Sequence, residues 1–191
     1  MKYPTEAEHA GIEEQSEVVT LLDGARKDDR VVTALHEAGH AVAYLSIRRK
    51  FAYLSAVDAQ LVGNGQPIDA WDRAVTSMAG PAVESIIYHY GRGGDDDIYE
   101  WIIEALRQRR EFAEEEPWDE PDDYILAGPY AEEAVPVALA AVTASWADIE
   151  RIAAAALNTE RLTYDEVLRL TAGGKSFFAE LSRWQAVVKQ R

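Results

Sequence analysis

The chain has 191 residues, 48% of them hydrophobic, enough for one folded domain with a real core. Its 34 Asp and Glu against 19 Lys and Arg give a net charge of −15, a field that repels nucleic-acid phosphates and anionic lipid surfaces. With no cysteine, it is without disulfides, thiolate metal sites and a cysteine nucleophile, so a metal would have to be held by His, Asp and Glu.

Residues 1–29 carry eight acids and three bases with little periodicity and read as an acidic N-terminal extension to a domain spanning 30–191. The N-terminus lacks the apolar stretch of a secretory signal. The longest uncharged run, Ala134 to Ala147, has 14 residues and contains Pro136, too short for a bilayer. A soluble cytoplasmic protein without a membrane or nucleic-acid partner is expected.

From Val31, the series Val31, Leu35, Ala38, Val42 and Leu45 has helical spacing, with Asp28 or Asp29 placed to cap it. Phe51, Tyr53, Val57, Ala59 and Leu61 then alternate toward Gly63-Asn64-Gly65, predicting a strand or a hairpin. Trp71 to Tyr90 is helical in period, as is Ile98 to Phe112. Glu111 to Asp123, with eight acids, no base and two prolines, predicts a long solvated loop that can dock a basic partner.

Pro136 suits the first turn of one long alanine-rich helix reaching about Leu157. Thr163-Tyr164-Asp165-Glu166 matches a capping box, opening a short helix that Gly173 and Gly174 close. Phe177 to Val188 has the pattern of a last amphipathic helix. Gly173-Gly174-Lys175-Ser176 is no phosphate-binding loop, because Arg169 stands where that pattern needs glycine, and no nucleotide is expected. The fold class expected is mainly α, with a short strand or hairpin beside the first helix.

The chemistry is concentrated in Thr33 to Leu45, TALHEAGHAVAYL, which holds two of the four histidines. On a helix His36 and His40 lie about 40° apart, one turn from each other, so both reach one metal ion. Zinc in a catalytic site adds a third protein ligand and leaves a position for water. Glu37, about 100° around the helix from His36, falls beside the ion, placed to take a proton from zinc-bound water and pass it to a leaving amine. Gly39 costs roughly 1 kcal/mol in a helix interior, a cost that makes sense if another element approaches closely there. The apolar residues Val31, Leu35, Val42 and Leu45 point away from the histidines, leaving that face free of obvious core packing.

For the third ligand, Asp95, Asp96, Asp97 and Glu84 compete. Acids at a helix start also serve as caps, which accounts for Asp95 or Asp96. Asp97 stands just before Ile98, the first residue of the next apolar series, while Glu84 lies opposite the apolar stripe of its own helix.

Three blocks resemble the peptidase domain of the FtsH-type, M41 zinc proteases. They are VTALHEAGHAV at 32–42, MAGPAVESIIY at 78–88 and GGDDDI at 93–98; ALNTERLTYDEV at 156–167 is a fainter match. The resemblance implies a helical zinc metallopeptidase domain, free-standing, with no likeness to the family's ATPase module or membrane segments. It implies His36, His40 and Asp97 as metal ligands, Glu37 as base, and Glu84 near the metal as an outer-shell carboxylate or alternative ligand. The expected activity is ATP-independent hydrolysis of peptides or unfolded protein segments, and the alternative is a catalytically silent, zinc-stabilised binding or regulatory protein.

Overall fold

The computed structural model describes residues 28–89, 98–115 and 123–171. They form a mainly helical fold with one small antiparallel sheet, as the sequence pattern predicts. Asp28 caps the first helix, α1 (Asp29–Ser46), its side chain accepting from the Arg30 N–H at 2.9 Å.

The hairpin β1 (Phe51–Ser55) and β2 (Gln60–Gly63) follows. The alternating run is thus not one strand: residues 56–59 reverse it, with Ala59 at φ +49° and the Ser55 hydroxyl accepting from the Asp58 N–H at 3.0 Å. This local side-chain bond substitutes for the Gly-rich signal that hairpin turns usually carry. Gly63-Asn64-Gly65 ends β2 instead, Gly65 taking φ +77° and Asn64 Oδ1 accepting from the Gln66 N–H.

Helix α2 (Ala70–His89) is followed by α3 (Ile98–Glu115) and the single turn α4 (Asp123–Leu126). The expected acidic loop is therefore helical over Glu111–Glu115 and again from Asp123, because Glu and Ala there are good helix formers that prolong the period of α3. A 3₁₀ turn, Gly128–Tyr130, leads into α5 (Ala131–Ala144) and α6 (Trp146–Leu157). Pro136 lies inside α5 rather than in its first turn, since the helix begins five residues earlier, and the long alanine-rich helix is two helices broken at Ser145. The Ser145 N–H closes a tighter bond onto Val142 O at 3.1 Å there. Finally β3 (Leu162–Thr163) leads into α7 (Tyr164–Leu170) through the expected capping box, Thr163 with Glu166. The expected C-terminal helix, the closing glycines, and most of the 1–29 extension lie outside the described residues.

The sheet order is β2-β1-β3, with Leu54 of β1 opposite Leu61 on one side and Leu162 on the other. This leaves β2 as an edge strand beside the hairpin turn. Helix α1 runs through the centre of the core, packed against α2 on one side and α6 on another, while α2 also rests on α3, α4 and α5. Leu35 and Val42 of α1, Val75, Met78 and Val83 of α2, and Ile149 and Ile152 of α6 are fully buried. Each such side chain contributes about 1.5–3 kcal/mol relative to exposure. Helix α1 is buried on its histidine side as well, contrary to the free face read from its apolar residues: Glu37, Gly39 and His40 are all buried. Among the described residues no helix is long and apolar enough to cross a membrane.

Gly39 explains how the two central helices come so close. A Cβ there would stand 2.6 Å from Val83 Cγ2 and 3.0 Å from the Ala79 carbonyl oxygen. The Gly39→Ala variant gains about 1 kcal/mol in helix propensity yet must push α2 away, an overpacking cost of about 1–3 kcal/mol. We expect a net loss of stability in urea unfolding; a stabilised variant would show that the close approach is absent.

Candidate metal centre

Three side chains from two distant parts of the chain converge beside this contact. His36 Nε2 and His40 Nε2 are 2.9 Å apart, and Asp123 Oδ2 lies 2.9 Å from the first and 3.1 Å from the second. Helical periodicity places the two rings one turn apart, with centroids at 4.7 Å and planes at 75°. Asp123 is carried to them by α4, which packs on α2.

The outer partners decide what those inner atoms are. His40 Nδ1 donates to the Thr76 carbonyl at 2.7 Å, and a carbonyl oxygen can only accept. His36 Nδ1 donates to Glu84 Oε1 at 2.8 Å. Each neutral ring therefore carries its hydrogen on the outside and turns a bare lone pair toward Asp123, itself an acceptor. Three lone-pair atoms within 3.1 Å of one another repel unless a cation stands among them. A tetrahedral ion at about 2.0–2.1 Å from its ligands spaces them roughly 3.3 Å apart, only a few tenths of an ångström wider than here. His36, His40 and Asp123 thus form a group that can hold a metal ion.

Charge in the metal-free site follows the same geometry. Burial works to lower the pKa of His36, but the hydrogen bonds to Asp123 and Glu84 override it, raising it from 6.5 to about 10. For His40 burial acts in the same direction, and the Asp123 carboxylate again lifts the pKa upward. Burial also opposes ionisation of Asp123, but the two histidines hold its carboxyl well below the usual range. A proton on the imidazoles is the substitute for the cation.

A glycine makes room. At Gly80 of α2 a Cβ would overlap the His36 ring, so only glycine lets α2 pass behind the ligand. Glu37, one residue along from His36, turns into a cleft of about 560 Å³ that His36, His40 and Asp123 also line. One of its carboxyl oxygens is buried and without a hydrogen-bond partner among the described residues. Burial raises its pKa, with His40 and His36 pulling the other way.

Of the residues singled out in the sequence, His36, Glu37 and His40 thus share one cleft, and Glu84 stands behind His36 as its hydrogen-bond acceptor. Asp95, Asp96 and Asp97 lie outside the described residues, so the described third carboxylate is Asp123. In the sequence Asp123 falls at the end of the expected solvated acidic loop. The same sign that marks Asp97, an acid just before apolar residues, also marks Asp123 before Tyr124, Ile125 and Leu126. No protein-family model matches this chain, and a comparison with curated proteins finds no match.

Removing the Asp123 charge with Asn should reduce metal occupancy below detection at equimolar metal. Removing the Glu84 charge with Gln should weaken affinity about 10–100-fold while leaving saturable binding. Equal occupancy in Asp123→Asn and the unmodified protein, measured by equilibrium dialysis, would remove Asp123 from the site.

The pH dependence has a definite sign. In the metal-free protein, the stabilisation from protonated His36 is complete below about 6.5 and lost as the pH rises through about 10. The metal-loaded site needs no such proton. The gap in melting temperature between metal-loaded and chelated protein should therefore widen from pH 6.5 toward 10. A gap that is constant or narrows across that range would contradict the arrangement.

Proposed function

We propose that this protein is a zinc metallopeptidase of the HExxH type, hydrolysing peptide bonds in peptides or unfolded protein segments without a nucleotide. The observation that carries the reading is that Glu37 opens into the same cleft as the three converging lone-pair donors. Two imidazoles, one carboxylate and no thiolate make up the donor set of a catalytic rather than a structural zinc site. The likeness of the blocks at 32–42 and 78–88 to the M41 peptidase domain supports His36, Glu37 and His40 in these roles, while Asp123 stands here as third ligand in place of the Asp97 that the block at 93–98 implies.

Zinc, when bound, supplies acidified water and polarises the scissile carbonyl. The residues of the chain do the rest. Glu37 accepts a proton on its unpartnered oxygen and delivers it to the leaving amine; its raised pKa brings acceptance and release closer in energy. Glu84 and Thr76 fix the histidine rings so that neither turns away during the reaction. The edge of β2, whose Gln60 and Leu61 line the cleft, offers unpaired backbone groups along which an extended peptide can add as a strand.

Zinc-loaded protein incubated with unfolded casein should produce fragments, and chelation should stop it. Glu37→Gln should retain zinc but lose about 10²–10⁴-fold in rate. Fragmentation unchanged by Glu37→Gln, or none with zinc shown to be bound, would defeat the peptidase reading.

A further inference from the structure

Helices α1 and α2 run antiparallel along the floor of the cleft, as their contacts show. His36 meets Glu84 and His40 meets Thr76, so partners fall in number on α2 as they rise on α1. One turn beyond His40 stands Tyr44, close enough to Arg73, one turn before Thr76, to feel its charge. Both line the cleft that holds the three metal-directed residues.

This end of the cleft has a polarity unlike the rest of the molecule. In a chain of net charge −15, Arg73 is the sole Lys or Arg among the described residues lining the cleft. Its neighbour Asp72 is engaged by Arg49 at 3.3 Å, and Asp69 Oδ1 accepts from the Asp72 N–H at 2.8 Å. Arg73 itself pairs with no carboxylate among the described residues, and its side chain is exposed. The Tyr44 hydroxyl has no hydrogen-bond partner among the described residues either, and burial keeps it in the protonated, donating form against the pull of Arg73. A guanidinium and a phenol, neither bonded through its side chain to another described residue, line one cleft.

We infer that Arg73, with Tyr44, recognises a carboxylate on the substrate, so that the cleft selects peptides bearing an anionic group close to the bond that is cut. This deepens the peptidase reading and rests on it. The guanidinium offers a planar fork of donors that matches a carboxylate, which makes it a better selector than a lysine would be. Tyr44 lies about 6 Å farther along α1 than His40, which is about two residues of an extended chain at roughly 3.3 Å each. The carboxylate recognised therefore belongs to a C-terminal residue or an acidic side chain one or two positions from the scissile bond. The Coulomb field of the protein as a whole disfavours such a substrate, so Arg73, the sole Lys or Arg among the described residues lining the cleft, decides whether it is accepted.

Four quenched fluorescent hexapeptides test this: one sequence as free acid and as C-terminal amide, and an amidated pair with Glu or Gln near the cut. We expect kcat/KM to favour the charged member of a pair by about 10-fold or more, carried by KM. In Arg73→Gln the preference should collapse to about one, with Arg73→Lys intermediate. A preference in the first pair identifies the C-terminal carboxylate, and one in the second identifies an acidic side chain. Equal rates within both pairs would overturn the inference. So would a loss of kcat in Arg73→Gln that is the same for all four peptides, since Arg73 would then act on the reacting atoms. If none is cut, the peptidase reading fails separately, and fluorescence anisotropy of the same peptides on zinc-loaded Glu37→Gln still decides. Tighter binding of the charged members that depends on Arg73 supports the inference, and equal binding overturns it.

Discussion

The site depends on one electrostatic constraint: three acceptor atoms are forced within about 3 Å of each other by hydrogen bonds made behind them. The Thr76 carbonyl and the Glu84 carboxylate take the ring hydrogens, so neither histidine in its neutral form can relieve the crowding by donating inward. What relieves it is positive charge, either a proton at the cost of a strongly raised imidazole pKa or a metal ion.

That constraint requires rigid support, and close packing provides it. Gly39 lets α1 and α2 touch at backbone distance, and Gly80 lets the His36 ring lie against α2 without a methyl group in its way. The core residues on the remaining sides of α1, from Leu35 to Val42, lock its rotation against α6 and thereby aim both histidines. The same arrangement directs Glu37 into the cleft and lines up Tyr44 beyond His40. The positions of the histidine pair, of Glu37 and of Tyr44 are thus successive consequences of one helix being fixed in place.

The parts of this design set by local sequence were legible, and those set by tertiary contact were not. Five residues fix the spacing of His36 and His40, and the cost of Gly39 pointed to a close neighbour that proves to be Val83 and Ala79. The capping signals at Asp28 and Thr163 need only a few adjacent residues and are where they were expected. Asp123 is different: 83 residues separate it from His40, and its role is set by where α4 packs, which no period in the sequence encodes. Surrounded by seven other acids it looked like a solvated charge. The break at Ser145 has neither glycine nor proline to announce it, and the turn of the β1–β2 hairpin is held by the Ser55 hydroxyl rather than by the glycines farther on. In both places a bond between residues three apart makes the turn without the glycine or proline that would announce it.

The inner atoms of His36, His40 and Asp123 are placed to be joined by a cation, and whether they are is open to direct measurement. The measurement is a crystal structure of the zinc-loaded protein with anomalous scattering recorded across the zinc edge. We expect one anomalous peak about 2.0–2.1 Å from His36 Nε2, His40 Nε2 and an Asp123 carboxyl oxygen, with Glu84 still bonded to His36 Nδ1. A peak coordinated by Asp97 or Glu84 with Asp123 turned away, or no peak between the histidines at saturating zinc, would contradict it.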